Sequence, residues 1–380
     1  MVASVGCAQT GADFAVQSGR GESSFDPGCR EVHAIVLAGV HSWGHGVLES
    51  LICRPLLPIL NRPLISHVLG WLRAGGIDAV TTCANSDTAA IRGALGASGD
   101  AEPAITYYED VMPRGPAGCI KDSAAGSQAD AFVVVEGAVI PEINLTSLID
   151  AHLESEAALT LVVSSTRTKP DVRHDPGEPM GIYVFSPDSL AGVSPIGYQD
   201  IKEGLIPQLH RRGRRVLTYS VPTGSVVRVT GAASYLAANR WALRRLTRSD
   251  AARAGYRRVG ESWLHETAMV DPTVRLAGPV FVGPESIVQS KSMLTGPTTI
   301  GARCIIERDA VVSRSALWNG VRVGAGAVLD DCIVADNGLV GPGRVRRHTV
   351  CHAPNGLGRR LLGRLNPSIG GRQRVALAEG

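Results

Sequence analysis

Aromatic side chains and lysines are both scarce in this chain of 380 residues. Phe, Trp and Tyr together make up 4% of the residues, against 44 Gly and 22 Pro. Such a mixture favours turn-rich, repetitive structure over helical bundles. Lysine is so rare that nearly all of the positive charge is carried by Arg, and the formal net charge is only +3. A charge this small does not indicate a nucleic-acid-binding protein.

The sequence also lacks the signatures of zinc ribbons, secreted proteins and membrane proteins. Its eight Cys form no C-x-x-C pair and no regular framework, which argues against a zinc ribbon or a disulfide-stapled secreted domain. No apolar run reaches membrane-spanning length, and residues 1–30 do not read as a secretory signal. We therefore expect a cytoplasmic protein that contacts no membrane, with a flexible leader over residues 1–30.

Buried strands and amphipathic helices alternate over residues 31–246. The predicted strands are 33–39, 79–82, 105–108, 131–135, 159–164 and 181–185, and the predicted helices are 64–75, 88–95, 145–156 and 233–246. Asn144 or Thr146 is expected to cap the third of these helices. The alternation predicts an α/β domain with a doubly wound, mostly parallel, Rossmann-like sheet. We expect a polar linker over residues 247–265.

Beyond the linker, the hydrophobic period changes to six. The aliphatic residues spaced by six, with one slip of five, are Val270, Leu276, Val282, Val288, Leu294, Ile300, Ile306, Val312, Leu317, Val323 and Leu329. In a left-handed parallel β-helix, each flat side takes one hexapeptide and turns its aliphatic residue inward. We therefore predict a left-handed β-helix over 266–350 and a basic flexible tail over 351–380. Gly283, Gly301 and Gly324 follow inward residues, where we expect sharp turns that exclude a side chain.

Several motifs of the chain occur in the order of a known family. They are LAGVHSWGHGVLESLICRPLLP at 37–58, NRPLI at 61–65, PRGPAGCIK at 113–121, EGAVI at 136–140, GIYVF at 181–185, DIKE at 200–203 and GSVVRVT at 224–230. In these collinear motifs the chain resembles the sugar-1-phosphate nucleotidyltransferases, or NDP-sugar pyrophosphorylases. It is most similar to the mannose-1-phosphate guanylyltransferase-like members that carry a short β-helix. The resemblance covers about residues 31–350.

The resemblance implies a site at which a sugar 1-phosphate attacks the α-phosphorus of a nucleoside triphosphate and pyrophosphate leaves. It also implies an Arg and a Lys on the phosphates and two Asp that hold Mg²⁺. The nucleotide-binding candidates that it gives are Leu37, Ala38, Gly39, Gly115, Ala117 and Gly118. Gly181 is the sugar-binding candidate.

The chain departs from the family where the family's chemistry lies. Residues 40–44, VHSWG, replace the bare glycines and the Thr-Arg pair of the first turn. Arg54 takes the place of the Lys and is the catalytic candidate. Ala138 and Arg228 take the places of the two Asp, so we expect no metal site, and Mg²⁺ would be a cofactor only of an active enzyme. Glu136, expected on the same strand face as Ala138, is a weak candidate for a replacement ligand. Arg54 and Arg228 are instead candidates for holding phosphates without metal.

These residues leave two main functions open. One is a catalytically impaired homologue that binds a nucleotide or nucleotide sugar and regulates an active paralogue or assembles with it. The expected assembly is a homo-oligomer or a hetero-oligomer with an active pyrophosphorylase. The other is an active nucleotidyltransferase in which Arg54, Arg228 and Glu136 replace the usual groups. Two lesser hypotheses involve histidines. They are acyl transfer on the β-helix by His265, His348 or His352, and a metal site at His41, His45 and Glu49.

Overall fold

The computed structural model describes residues 4–5, 30–39, 47–96, 104–109, 114–165 and 177–352. The altered turn at 40–44, most of the predicted leader, and residues 353–380 of the predicted tail lie outside the described residues. Within the described part of the chain, no helix has both the length and the hydrophobicity needed to cross a membrane.

An eight-stranded sheet forms the centre of the α/β domain in the described part of the chain. The strands of this domain are β1 (Ser4–Val5), β2 (Val32–Leu37), β3 (Pro58–Ile59), β4 (Arg62–Pro63), β5 (Ala79–Cys83), β6 (Ala104–Tyr108), β7 (Ala131–Glu136), β8 (Val139–Pro141), β9 (Leu159–Ser165), β10 (Glu178–Phe185), β11 (Val216–Pro222) and β12 (Val226–Arg228). The sheet order is β1-β11-β9-β10-β7-β2-β5-β6, and β10 alone runs antiparallel to its neighbours. β8 and β12 form a separate antiparallel pair.

Helices cover both faces of this sheet. They are α1 (Val47–Leu51), α2 (Leu64–Ala74), α3 (Thr88–Gly96), α4 (Gly115–Ser123), α5 (Leu145–Glu154), α6 (Pro187–Ala191), α7 (Ile206–Arg211), α8 (Ala232–Arg245) and α9 (Arg248–Arg253). Along β2, Ala34 and Val36 pack with α2, α3 and α5, whereas Ile35 and Leu37 pack with α4, α6 and α7. Successive side chains of a strand point to opposite faces of the sheet, so β2 is buried by helices on both faces. This confirms the doubly wound architecture.

The helix ends follow local chemistry. The side chain of Asn144 accepts a hydrogen bond from the backbone N–H of Ser147 at 2.9 Å, so Asn144 rather than Thr146 caps α5. The helix predicted over 64–75 ends at Ala74, and Gly75 forms its C-cap. The predicted strand and helix positions of the α/β domain agree with the structure apart from small differences at their ends.

Residues 247–265 carry more structure than a linker. The hydroxyl of Thr247 accepts from the backbone N–H of Asp250 and begins α9. After it come β13 (Tyr256–Val259) and β14 (Ser262–His265), which form an antiparallel hairpin. Trp263 on β14 is buried in one hydrophobic cluster with Phe281 of the following domain. The hairpin is therefore part of a core, which the polar composition of residues 247–265 did not indicate.

The C-terminal domain is the predicted left-handed β-helix. Its strands are β15 (Met269–Val270), β16 (Arg275–Ala277), β17 (Val280–Val282), β18 (Ile287–Val288), β19 (Met293–Thr295), β20 (Thr298–Ile300), β21 (Ile305–Ile306), β22 (Val311–Ser313), β23 (Ala316–Leu317), β24 (Arg322–Val323), β25 (Val328–Asp330), β26 (Ile333–Val334), β27 (Leu339–Val340), β28 (Val345–Arg347) and β29 (Val350–Cys351). They stack in parallel as three sheets, one of which β13 and β14 extend. The predicted inward residues from Val282 to Leu329 form one buried apolar cluster, and Val270 and Leu276 pack partly buried against it.

The glycines of the β-helix serve close packing between coils. None of Gly283, Gly301 and Gly324 has a positive φ, so they are not needed for an unusual backbone conformation. A Cβ added to Gly301 would lie 2.6 Å from the carbonyl oxygen of Trp318 in the next coil. The expected exclusion of a side chain is therefore correct, but its cause is the neighbouring backbone rather than the turn itself.

Candidate functional site

The candidate site is a cavity at the carboxyl ends of the central strands. Leu37 ends β2 and lies opposite Glu136, which ends β7, because the two strands pair in parallel. This position is where open α/β sheets bind ligands. We call it the strand-end cavity. It has a volume of about 280 Å³ and is lined by Leu37, Arg54, Pro116, Glu136, Tyr183, Asp200, Ile201, Lys202 and Arg228.

A bidentate ion pair between Arg228 and Glu136 forms part of the polar wall of the strand-end cavity. The Nη2 atom of Arg228 lies 2.9 Å from both carboxylate oxygens of Glu136, and its Nε lies 3.1 Å from Oε2. The side chains are only 24% and 11% exposed, respectively. Such charge-assisted pairs are stronger and more directional than neutral hydrogen bonds, and partial burial reduces their screening by salt.

Gly181 provides the space for this carboxylate. Its φ is +75°, and a Cβ at this position would lie 2.7 Å from the Glu136 carboxyl carbon. The residue predicted to contact sugar therefore lies directly against Glu136. Either property, the left-handed backbone or the close approach, is sufficient to favour glycine here.

Tyr183, Asp200 and Lys202 complete the polar lining of the strand-end cavity. Burial, together with the nearby Glu136 carboxylate, raises the pKa of the Tyr183 hydroxyl, which therefore stays protonated at neutral pH. Asp200 Oδ1 accepts the backbone N–H groups of Lys202 and Glu203, at 2.6 and 2.8 Å, and so begins the π-helical turn Ile201–Leu205. That turn places Lys202 at the cavity.

The two glycine-rich segments flank the strand-end cavity with backbone that is already hydrogen-bonded. The N–H groups of Ala38 and Gly39 both donate to the carbonyl of Cys83, at 2.7 and 3.0 Å, and that of Ala117 donates to the carbonyl of Gln199. Gly39 and Gly115 each lie against backbone that a Cβ would meet at 2.2 and 2.7 Å. The amide groups of Ala38, Gly39 and Ala117 are therefore engaged with backbone carbonyls in this structure.

Two family models match the chain, one within each domain. The nucleotidyl transferase model matches residues 48–174, and the GMPPB C-terminal domain model matches residues 259–353. A UTP–glucose-1-phosphate uridylyltransferase of Synechocystis sp. is 23% identical over 79% of this chain and 86% of its own length. A mannose-1-phosphate guanylyltransferase of Mycobacterium tuberculosis is 25% identical over 73% of this chain and 84% of its own. In both domains the chain is similar to proteins of the sugar-1-phosphate nucleotidyltransferase family.

Other relatives match the chain over very different lengths. A bifunctional protein GlmU of Brevibacillus brevis is 21% identical over 82% of this chain and 71% of its own length. One from Shouchella clausii is 28% identical, but over only 26% of this chain and 22% of its own. The similarity to GlmU is thus extensive in one case and confined to a short segment in the other.

The described residues at the family's metal positions do not fit Mg²⁺. Ala138 offers no ligand atom and is buried among apolar side chains. Arg228 brings a positive charge to the second position, and the Glu136 carboxylate is already bound to it. Magnesium prefers several oxygen ligands in octahedral geometry. Among the described residues there is also no cluster of three or more His, Cys, Asp or Glu side chains.

The expectation that Glu136 and Ala138 share a strand face is wrong. β7 ends at Glu136, and residues 137–138 form a turn before β8. Glu136 consequently faces the strand-end cavity, whereas Ala138 packs in the apolar cluster between the two domains. The period of two holds only within a continuous strand.

The structure brings the two predicted phosphate-binding arginines together. Arg54 begins a 3₁₀ turn, Arg54–Leu56, and lines the same cavity as Arg228 although 174 positions separate them in the sequence. Of the six nucleotide-binding candidates, Leu37 is among the residues that line the strand-end cavity, and Ala38, Gly39, Gly115, Ala117 and Gly118 are not. Pro116, which lies between two of the candidates, lines it as well. Sequence reasoning did not single out Tyr183 as a site residue, although it lies in the GIYVF motif at 181–185, which was the available signal.

The histidine candidates lie apart from the strand-end cavity. His265 lines a second cavity of about 500 Å³ between the two domains, whose other walls include Trp241, Tyr256 and Phe281. His348 hydrogen-bonds Asp331 at 2.9 Å on the surface of the β-helix. His352 is the last described residue, and His41, His45 and the side chain of Glu49 lie outside the described part of the chain. The predicted site residues thus converge on the smaller cavity, not the larger.

Proposed function

We propose that the chain binds a nucleotide or nucleotide sugar in the strand-end cavity and is impaired as a metal-dependent nucleotidyltransferase. The observation that carries this proposal is the ion pair of Arg228 with Glu136, which lies where the family resemblance puts a metal-binding Asp. Nucleotidyl transfer depends on positive charge that stabilises the reacting phosphates. The described residues retain Arg54, Lys202 and Arg228 for binding phosphates. The two carboxylates that line the cavity, Glu136 and Asp200, are engaged by Arg228 and by backbone N–H groups, and neither stands at a metal position of the family.

A pyrophosphate-release assay tests the catalytic half of this proposal. The full chain is incubated with each of the four nucleoside triphosphates, a panel of sugar 1-phosphates and Mg²⁺. We expect no turnover above the rate without protein. Robust turnover that disappears on adding a chelator would overturn the proposal.

A thermal-shift and titration experiment tests the binding half. Nucleotide sugars are expected to raise the melting temperature, since a ligand that binds the folded state stabilises it by mass action. The double variant Arg54→Ala, Arg228→Ala should lose this shift. Arg253→Ala is the matched control, because Arg253 is 81% exposed and lies on α9, outside the strand-end cavity. Unchanged affinity in the double variant would contradict a role for the two arginines.

An active nucleotidyltransferase is the second candidate function. The uridylyltransferase and guanylyltransferase relatives support it, because they match this chain over 86% and 84% of their own lengths. A match of this length includes both domains. In this alternative, nucleoside triphosphate and sugar 1-phosphate give NDP-sugar and pyrophosphate, with Arg54, Arg228 and Glu136 replacing the usual groups. The same pyrophosphate assay decides between the two.

We also propose assembly through the β-helix, either with a second copy or with an active paralogue. Met293 on β19 and Val345 on β28 belong to one outward column of the same sheet and are 36% and 50% exposed. Exposed apolar columns of this kind favour contact with another protein surface. Light scattering after size exclusion should show a dimer or larger species, and Val345→Glu should shift it to monomer. A monomeric wild-type chain would contradict self-assembly. Cytoplasmic localisation stays a prediction.

A further inference from the structure

The charges that face the strand-end cavity are nearly balanced. Among the described lining residues, Arg54, Lys202 and Arg228 are cationic, and Glu136 and Asp200 are carboxylates. Glu136 lies within hydrogen-bond distance of Arg228 at both of its oxygens. About one unit of positive charge therefore remains to attract a phosphate chain, and it comes from fixed side chains rather than from an exchangeable ion.

Both carboxylates of the strand-end cavity have structural partners. Glu136 is held by Arg228, and Gly181 leaves the space in which it sits. Asp200 caps the π-helical turn through the backbone N–H groups of Lys202 and Glu203. A divalent cation that binds Glu136 would have to compete with Arg228 for both carboxylate oxygens and would meet its guanidinium at close range, which is electrostatically unfavourable.

The candidate ligands differ strongly in charge. At neutral pH, the diphosphate of a nucleotide sugar carries roughly two negative charges, because each of its phosphates is esterified or bridged and keeps a single ionised oxygen. A free nucleoside triphosphate carries roughly four, since its terminal phosphate ionises twice. Without a metal ion, a site with a small fixed positive charge neutralises the first ligand far better than the second.

We propose that Arg228, held by Glu136, supplies the positive charge that Mg²⁺ supplies elsewhere, so that the strand-end cavity binds nucleotide sugars without metal and in preference to nucleoside triphosphates. This inference rests on the proposed nucleotide-binding function and adds ligand selectivity and metal independence to it. Arg228 is the selectivity residue, and Glu136 is the positioning residue that sets how much of its charge a ligand meets.

Isothermal titration of the full chain tests the inference with two base-matched pairs, UDP-glucose against UTP and GDP-mannose against GTP. In EDTA we expect at least one nucleotide sugar to bind about tenfold more tightly than its triphosphate. Adding Mg²⁺ should change the affinity for that nucleotide sugar by less than about twofold. A nucleotide sugar that binds only with Mg²⁺, or a triphosphate that binds equally well in EDTA, would overturn the inference.

A charge variant makes the test specific. Glu136→Gln removes one negative charge and leaves Arg228 in place, so the affinity for the triphosphate in EDTA should rise by about tenfold. The ratio of nucleotide-sugar affinity to triphosphate affinity should therefore become smaller than in wild type. Glu142→Gln is the matched control, because Glu142 pairs with Arg245 away from the cavity, and it should leave all affinities unchanged. Equal affinities in wild type and Glu136→Gln would overturn the inference. If wild type binds none of the four ligands, the proposed binding function itself fails.

Discussion

The guanidinium of Arg228 and the carboxylate of Glu136 stabilise each other only while both are present. With the pair at 24% and 11% side-chain exposure, removing Arg228 would leave a mostly buried carboxylate without this partner. We expect Arg228→Met to lower the free energy of unfolding by about 1–3 kcal/mol, a range reduced for the part that solvent screens. Urea denaturation measures this loss.

The double variant Glu136→Gln, Arg228→Met provides the internal check on that prediction. Because it removes the isolated charge as well, it should recover part of the stability that Arg228→Met loses. Arg253→Met serves as the surface control, since Arg253 and Asp250 are largely exposed and such pairs contribute little. A single Arg228→Met variant as stable as wild type would show that the pair does not stabilise the fold.

His152 gives the α/β domain a pH-dependent stability. It is fully buried on α5, with Nδ1 and Nε2 hydrogen-bonded to the hydroxyls of Thr160 and Ser186 at 2.8 and 3.1 Å. Burial lowers the pKa of His152 to about 4, so the folded chain keeps it neutral at pH values where the unfolded chain protonates it. Its contribution to stability is complete above about pH 6.5 and is lost as the pH falls towards 4.

Denaturation at several pH values measures the contribution of His152. From pH 7 to pH 4 the free energy of unfolding should fall less in His152→Gln than in wild type. The difference between the two falls should be at most about 3 kcal/mol. His210→Gln is the control for a histidine exposed on α7, and its pH profile should follow that of wild type. Parallel profiles for wild type and His152→Gln would contradict the prediction.

At the residue scale, the sequence indicated which side chains depart from the family's motifs, but not which of them contact one another. Arg54 and Arg228 were both predicted phosphate ligands, and both line the strand-end cavity. The pairing of Arg228 with Glu136 was not predictable, because 92 positions separate them. It depends on where β7 ends and on the pairing of β12 with β8, which sets Arg228 opposite Val139. The turn at Ala138 escaped prediction for the same reason.

The β-helix was predictable as an element because each coil repeats the same local constraint. Neighbouring coils pair 18 residues apart where the period of six is unbroken, as Met269 does with Ile287, and 17 apart where a slip of five lies between the paired residues, as it does between Ile305 and Arg322. A spacing of five instead of six keeps the aliphatic residues pointing inward, because the missing residue can be removed from a turn between two flat sides of the coil. Residues 247–265 repeat nothing, so their helix and hairpin had no periodic signal.

The inward column of the β-helix should be sensitive to lost volume. Leu294 is completely buried and lies between Leu276 and Val312 of the adjacent coils. Leu294→Ala is expected to destabilise the protein by about 2–4 kcal/mol, because it removes apolar contacts and leaves a cavity between stacked coils. Met293→Ala, the neighbouring outward residue on β19, should cost much less. Similar unfolding free energies for the two variants would contradict the inward assignment.

On the scale of the whole molecule, the two domains share a hydrophobic core. Leu57 and Ile59 of the α/β domain, Tyr235 of α8, and Trp318 and Ile333 of the β-helix are buried in one cluster. Arg54 of the strand-end cavity and Ile59 of this core belong to the same short segment, so the site adjoins the junction. Composition gave no sign of this contact, because its residues are divided among three distant parts of the chain.

One hydroxyl connects the polar groups at this junction. Tyr235 donates to the carbonyl of Pro58 at 2.7 Å and accepts from the indole N–H of Trp318 at 2.9 Å. Tyr235→Phe deprives both buried groups of this partner, so we expect a loss of about 1–3 kcal/mol in unfolding free energy. Trp318→Phe removes the indole donor, and the double variant should lose less than the sum of the two single variants. Urea denaturation of all four proteins gives this coupling, and additive losses would mean that the hydroxyl does not join the two domains.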